Sequence, residues 1–164
     1  MSAKGVFVAL GIVLTLTLSA ASGPMEDGIA AYDKEDYATA LRIFQPLAER
    51  GHLDAQYSLG SLYQAGKGVA QDLSQSIVWY RKAADQGHVQ AMTALGVILG
   101  DSPRENFIEA LAWFNVAVAR TSPSDDKHAG TRKIAEEGQK ELSARMSPSQ
   151  ITAAQRLAHE WKPK

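Results

Sequence analysis

Residues 51–60 read GHLDAQYSLG, and residues 87–96 read GHVQAMTALG. The two stretches begin 36 residues apart and share Gly, His, Ala, Leu and Gly at the same places. The same offset aligns residues outside these stretches: Asp36 with Asp72, Phe44 with Tyr80, and Ala48 with Ala84. Self-similarity at a fixed period of about 20–50 residues is typical of stacked repeat proteins. The sequence therefore predicts a repeat architecture.

A third copy of the pattern follows at an offset of 34 residues. It pairs Ile77 with Leu111, Trp79 with Trp113, Tyr80 with Phe114, and Ala83 with Ala117. The two missing residues fall between Gly96 and Trp113, where we predict a loop. We expect Trp79, Trp113 and Trp161 in the core. Because Trp79 recurs as Trp113, Trp79→Ala is expected to cost about 3–5 kcal/mol.

Each unit is predicted to contain two helices. The first runs from about 53 to 65 and the second from about 73 to 86, each with apolar or small residues at helical spacing. Asp72 and Gln75 predict a capping box at the second helix, and Asn106 with Glu109 predicts the same device one copy later.

Glycines mark two further features of the unit. Gly66 and Gly68 permit a tight reversal with positive φ between the helices, and Gly87 suits a left-handed helix end. Gly60 and Gly96 lie inside helices, where glycine costs about 1 kcal/mol relative to alanine. Their recurrence predicts a neighbouring helix at close approach.

Residues 52–87 resemble a nearly complete Sel-1-like repeat. The resemblance rests on AQYxLGxxYxxGxGVxxD from Ala55 to Asp72 and on WYRKAAxQG from Trp79 to Gly87. Residues 88–121 form a second such unit, although Leu99 replaces the tyrosine and DSPR at 101–104 replaces the glycine loop. Residues 25–51 resemble a shorter tetratricopeptide-like first unit. The resemblance implies an all-α, right-handed α/α superhelical solenoid of about eight helices in one domain, residues 22–164.

The tail, residues 122–164, is also predicted to be helical. Pro123 and Ser124 are expected to open a polar helix, and Ser147 to Gln150 form a second helix start with Pro148 in its first turn. The last helix carries one apolar stripe and is expected to cap the solenoid end. The stripe comprises Ile151, Ala154, Leu157, Ala158 and Trp161.

The amino terminus has the three parts of a secretory signal peptide, which we place at residues 1–21. Lys4 precedes an uncharged, largely apolar run from Gly5 to Leu18, and small residues follow. We expect the mature chain to begin at Ser22 or Gly23 and to reach the periplasm or the exterior. The chain has no cysteine for lipid attachment and no second apolar run, so no membrane insertion is expected after cleavage.

The composition argues against nucleic-acid binding, metal binding and most kinds of catalysis. The formal net charge is −1 and there is no basic tract, so nucleic acid is not an expected partner. No cysteine is present, and no two of the four histidines have the i, i+4 spacing of a helical zinc site. We expect no metal, no cofactor and no catalytic residue, and we interpret His52 and His88 as exposed residues at helix starts.

The Sel-1-like resemblance implies a non-catalytic scaffold or adaptor that binds a protein or peptide and is monomeric when alone. One alternative is a structural subunit of an envelope complex with a permanently covered repeat face. Another is a hydrolase acting on cell-wall or β-lactam compounds, since disulfide-rich relatives are linked to penicillin binding. Those relatives depend on cysteine pairs, which this chain lacks.

Partner-binding candidates follow from the helical wheel of the first helix in each unit. Ala55, Leu59 and Leu62 cluster on one side at about 100° per residue. The opposite side, together with its equivalents one copy later, is predicted to line the concave face of the stack. These candidates are Tyr57, Ser61, Gln64, Thr93 and Val97. An aromatic ring with a hydroxyl group suits a binding hot spot, so Tyr57 is the expected anchor.

Overall fold

The computed structural model describes residues 23–102 and 104–164, and its regular structure there is entirely helical. The eight α-helices agree with the predicted number. The predicted signal peptide, residues 1–21, lies outside the described residues. The helices are α1 (Pro24–Asp33), α2 (Tyr37–Glu49), α3 (Leu53–Ala65), α4 (Leu73–Asp85), α5 (Val89–Gly100), α6 (Phe107–Ala119), α7 (Ala129–Arg145) and α8 (Pro148–Glu160), with a short 3-10 turn at Arg104–Asn106.

The helices stack as an α-solenoid. The hairpins α1–α2, α3–α4 and α5–α6 follow one another, with α2 packed on α3 and α4 packed on α5. Helix α7 continues the stack by packing on α5 and α6. Helix α8 instead packs chiefly on α6, so α7 is the helix that follows α6 in the stack.

A glycine facing an aromatic ring closes each hairpin. A Cβ on Gly60 would lie 2.7 Å from the Tyr80 ring, and one on Gly96 would lie 2.6 Å from the Phe114 ring. Such distances are too short for real side chains, so the predicted close approach is confirmed. The first hairpin repeats the contact with Gly28 and Phe44, and Phe114 also faces Gly138 of α7.

The turn between α3 and α4 contacts the first hairpin. Gly66 and Gly68 adopt φ angles of 66° and 71°, as their positions predicted. A Cβ on Gly68 would lie 2.6 Å from the Tyr37 carbonyl oxygen. Lys67 between them places its ammonium 3.3 Å from the Tyr32 hydroxyl and 4.6 Å from the centroid of the Tyr37 ring. The turn thereby holds two hairpins in register.

The predicted caps differ from one copy to the next. The Asp72 carboxylate accepts a hydrogen bond from the Gln75 N–H at 3.0 Å, but the Asp72 N–H donates to the Tyr63 carbonyl, so only half of a capping box forms. The box predicted at Asn106 is wrong: a 3-10 turn precedes α6 and Asn106 makes no side-chain cap. Glu109 instead accepts hydrogen bonds from Arg81 and from the Trp113 indole.

The tail confirms one predicted helix start and corrects the other. Ser147 and Gln150 form a complete capping box at α8. Helix α7 begins at Ala129, later than the expected start at Pro123 and Ser124. The turn before it is held by Asp125, which pairs with His128 at 2.6 Å, and by its bond to the Lys127 N–H.

Buried apolar side chains form two clusters that divide between α3 and α4. One cluster joins α1, α2 and α3, and the other joins α4 through α8. The two meet at a seam of polar contacts. The Tyr80 hydroxyl donates to the Gln64 side chain at 2.8 Å, and the Gln86 amide donates to the Gln56 side chain at 2.7 Å.

The two repeated tryptophans are buried to different extents. Trp113 is 8 % exposed and belongs to the core, as predicted. Trp79 is only half-buried, and the Lys82 ammonium lies 3.8 Å from the centroid of its ring. Trp79 therefore packs against the first core cluster without being enclosed in it, as a core indole would be, and a lysine lies over its ring.

Candidate functional site

The first helices of successive hairpins line two adjoining depressions on one face of the stack. The first has a volume of about 230 Å³, the second of about 200 Å³, and Tyr57 contributes to both. We call the two depressions together the groove. The first is lined by Ile29, Tyr32, Phe44, Tyr57, Ser58 and Ser61. The second is lined by Tyr57, Gln64, Gln90, Thr93, Ala94, Val97, Thr131 and Ile134.

The structure brings the five candidate binding residues together along this groove. Tyr57, Gln64, Thr93 and Val97 line the second depression, and Ser61 lines the first beside Tyr57. The helical wheel located them because one face of each first helix is buried against its own hairpin. Their role in binding stays a prediction.

Tyr57 is held between aromatic neighbours. Its ring stacks on His88 with centroids 4.6 Å apart and lies 5.5 Å from the Tyr80 ring. Burial raises the pKa of the Tyr57 hydroxyl, so it stays protonated and able to donate at neutral pH. A ring fixed in this way loses little rotamer freedom on binding, which suits an anchor.

His88 is a part of the site that sequence reasoning missed. It was expected to be exposed, as His52 is, but it is buried and caps α5. Its Nδ1 accepts a hydrogen bond from the Ala91 N–H at 3.2 Å, and its Nε2 lies 3.4 Å from the Asp54 carboxylate. Burial lowers the pKa of His88, partly offset by Asp54. The signal for this capping role was the position of His88 directly before the first helix of a repeat. A helix start there needs a side chain that accepts a hydrogen bond.

Two polar side chains of the second depression have unused hydrogen-bonding capacity. The Gln64 oxygen accepts from Tyr80, which leaves its amide hydrogens without an acceptor among the described residues. Thr93 is 5 % exposed, and its hydroxyl has no partner in that same part of the chain. Exposed apolar side chains, Val97 and Ile134, border these groups.

Residues 22–52, 53–88 and 89–121 each match the Sel1 repeat. The chain belongs to the Sel1-repeat family. Its first segment, which resembled a tetratricopeptide-like unit, thus matches the same repeat as the other two. Sel1 repeats form scaffolds for protein–protein interaction and are generally non-catalytic.

Solved structures share the Sel1 fold. A protective antigen of uropathogenic Escherichia coli with an SLR fold, c5321, superposes over 84 % of this chain with a TM-score of 0.69 and 25 % identity. The superposed part is 29 % of the length of the antigen. A Sel1 repeat protein from Oxalobacter formigenes superposes over 87 % of this chain and 65 % of its own, with a TM-score of 0.54 and 22 % identity.

Curated proteins similar to this chain are much longer than the part that matches. The uncharacterized protein NMB1327 of Neisseria meningitidis is 34 % identical over 60 % of this chain and 20 % of its own length. The DAP3-binding cell death enhancer 1 of Rattus norvegicus is 40 % identical over 58 % of this chain and 26 % of its own. The chain therefore spans about a fifth to a quarter of these relatives.

A separate cavity of about 350 Å³ lies between α4, α6 and α8 of the Sel1 stack. Trp113 and Trp161 line it together with the Arg81–Glu109 ion pair, whose atoms are 2.6 Å apart. Among the described residues, no group of three or more His, Cys, Asp or Glu side chains could hold a metal ion. Within the same ranges, no helix is long and apolar enough to cross a membrane.

Proposed function

We propose that this Sel1 protein is a non-catalytic adaptor that binds a protein or peptide partner in the groove, in the periplasm or outside the cell. One observation carries the proposal: four first helices, α1, α3, α5 and α7, contribute to a single surface. In that surface a fixed tyrosine, the partly exposed amide of Gln64 and exposed aliphatic side chains lie side by side. Such a combination of aromatic anchor and adaptable polar contacts is characteristic of binding surfaces.

The binding half of this proposal is tested by site-specific photocrosslinking in cells. A crosslinking amino acid replaces Val97 in the groove or, as a matched control, Val78 on α4. Both valines are exposed, at 37 % and 46 %, but Val78 lies in a different depression. We expect a discrete crosslinked product from position 97 and none from position 78. Products of equal intensity at both positions would contradict the proposal.

Arginine substitution gives an independent check on the same surface. Tyr57→Ala with Val97→Arg is expected to abolish the crosslink or capture of the partner, while circular dichroism remains that of the folded protein. Thr93 is a poor site for arginine because it is buried. If capture of the partner is unchanged, the groove is not the binding site, and the cavity lined by Trp161 becomes the next candidate.

The location half rests on the amino-terminal sequence and is tested by mass. Intact-mass measurement of the exported protein is expected to give a chain that begins at Ser22 or Gly23. A mass that retains residues 1–18 would contradict a processed, exported protein.

A further inference from the structure

A cavity of about 440 Å³ lies at the carboxyl-terminal ends of α6 and α8, and it shares no lining residue with the groove. Residues 161–164 form one of its walls. After α8 the backbone crosses to the end of α4, where the Lys164 N–H donates to the Asp85 carbonyl at 2.8 Å and the Lys164 ammonium pairs with the Asp85 carboxylate. This crossing places Trp161 and Pro163 beside Arg120 at the end of α6.

Arg120 is held in place without an ion partner. Its guanidinium lies over the Trp161 ring, 5.3 Å from the ring centroid. It also lies beside the turn after α4, since a Cβ on Gly87 would come 3.4 Å from its Nη2. Three other arginines of the described chain pair with a glutamate, whereas Arg120 has no carboxylate partner among the described side chains. Arg120 is therefore a positioned and exposed cation whose N–H groups are open to a ligand.

The charge of the lining favours an anion. Arg120 and His159 line the cavity, and its other lining residues are uncharged. Asp85, at the neighbouring end of α4, is already paired with Lys164. A planar guanidinium can donate two parallel hydrogen bonds to a carboxylate, and such bonds are stronger than those between neutral groups. A cationic ligand would be repelled by Arg120, so a carboxylate is the group that this end of the cavity selects.

The rest of the lining indicates a compact apolar body. Ala158, Trp161 and Pro163 supply carbon surface, and Asn115 and Gln155 add uncharged polar groups. Sites for small molecules typically enclose roughly 300–1,000 Å³ and combine apolar surface with a few polar groups, and this cavity lies within that range. Aromatic rings pack favourably against an indole, edge to face or offset.

We propose that this cavity binds a small aromatic carboxylate, whose carboxylate accepts hydrogen bonds from Arg120 and whose ring packs on Ala158, Trp161 and Pro163. The site goes beyond the proposed adaptor function and does not depend on it, because the groove lies elsewhere on the stack. Arg120 is exposed, so the ion pair with the ligand is partly screened by water and the affinity is modest.

Nuclear magnetic resonance of the mature protein tests the site, because its three tryptophans give separate indole N–H signals. The probe is 2-naphthoate, and 2-naphthamide is its uncharged counterpart. We expect 2-naphthoate to shift the Trp161 signal with a dissociation constant of about 1 mM or lower. The Trp79 signal is the internal control and should stay in place, since Trp79 packs on the other core cluster.

The uncharged compound should bind about two- to tenfold more weakly than 2-naphthoate, and the difference should shrink at about 1 M salt, which screens exposed charges. An absent Trp161 shift, equal binding of the two compounds, or an equal shift of Trp79 would overturn the proposal.

Variants of two arginines test the role of Arg120. Arg120→Gln removes the charge, so 2-naphthoate should bind no more tightly than 2-naphthamide. Arg156→Gln is the matched control, because Arg156 is an exposed arginine of α8 outside the lining, and it should keep the preference for the anion. Loss of that preference in the control, or its retention in Arg120→Gln, would contradict the assignment.

A third variant leaves Arg120 itself unchanged. Ala119 is exposed and lines the cavity, so Ala119→Glu supplies a carboxylate beside Arg120 and should also abolish the preference for 2-naphthoate. If Arg120→Gln loosens the contact with Trp161 and loses both compounds, Ala119→Glu decides. Binding of 2-naphthoate to Ala119→Glu as tightly as to the wild type would refute the proposal.

Discussion

At the scale of single residues, His88 makes three contacts, of which the cap of α5 depends on its being neutral. Its Nδ1 must be unprotonated to accept from the Ala91 N–H, which leaves the proton on Nε2, beside Asp54. The same ring stacks under Tyr57, the expected anchor of the groove. Protonation at Nδ1 would remove the cap of α5 directly beside the ring that supports Tyr57.

His88 therefore gives the fold a pH dependence of defined sign. Burial lowers its pKa below the ordinary value near 6.5, against the opposing effect of Asp54 and with a small further lowering by His128. As pH falls, the unfolded chain takes up the proton first, so this contribution to stability is complete above about pH 6.5 and is lost below it. We expect urea midpoints to fall between pH 7 and pH 5.

The matched control for this titration is His88→Asn, a helix cap that does not titrate. It keeps the other three histidines, so their contributions cancel in the comparison. Its stability should decline less than that of the wild type over the same pH interval. Parallel curves for the two proteins would show that His88 does not titrate differently in the folded state.

The two repeated tryptophans should respond differently to truncation. Trp113→Ala is expected to cost about 3–5 kcal/mol in the free energy of unfolding, because a large buried side chain is removed from the core. Trp79→Ala should cost clearly less, since the indole is half-buried and its partner Lys82 is a surface side chain. Urea titration measures both, and equal costs would contradict the difference in burial.

At the scale of helices, the glycine–aromatic contact is the recurring joint of the stack. The aromatic residue of the joint and its polar partner change together from one copy to the next. Tyr80 donates its hydroxyl proton to Gln64, whereas the corresponding residues of the next copy are Phe114 and Gly100. Donor and acceptor are absent together, so neither is left unpaired at this place in that copy.

Gly96→Ala tests this joint. A Cβ at this position would press on the Phe114 ring, which Gly138 confines from the other side, so the ring has little room to retreat. We expect a loss of about 1–3 kcal/mol, as for an overpacked core. Gly130→Ala is the control, since nothing lies within 4 Å of its added methyl group. That variant should be unchanged or more stable by up to about 1 kcal/mol.

The start of α8 offers a test of a single cap. Ser147→Ala removes the acceptor for the Gln150 N–H and should cost about 1 kcal/mol of unfolding free energy. Ser147→Asp retains an acceptor at the same place and should restore most of the loss. If both variants were equally destabilised in urea, the cap would not be the cause.

At the scale of the molecule, the fold and the groove were predictable because both follow from periodicity. The repeat offset located the hairpins, and the helical wheel located Tyr57, Gln64, Thr93 and Val97 on one surface. The burial of His88 and the exposure of Trp79 were not predictable, because each depends on a contact between different helices. The neighbour that α8 covers was not predictable either, because an apolar stripe does not say which helix it packs on.

Removal of α8 tests what that helix covers. A chain ending at Met146 uncovers Trp113 and Val116 on α6, and we expect a loss of about 3 kcal/mol or more from these two side chains alone. Binding of a hydrophobic dye should rise. A chain ending at Trp161 is the control: it removes the last three residues, with the ion pair and the backbone hydrogen bond of Lys164 to Asp85, and should be nearly as stable as the full chain.

The polar seam between α3 and α4 has a consequence for how the protein opens. The repeat boundaries in the sequence fall between hairpins. The boundary between the two apolar clusters falls inside the second repeat. Side chains cross that division in both directions, because Leu53 and Tyr57 of α3 pack on the second cluster and Trp79 of α4 packs on the first. Local opening in stacked proteins follows the weakest interface. Since these contacts tie α3 to α4, amide hydrogen exchange should show the two helices opening as one unit. A ligand that contacts Tyr57 of that unit and Val97 of the next would slow the exchange of both.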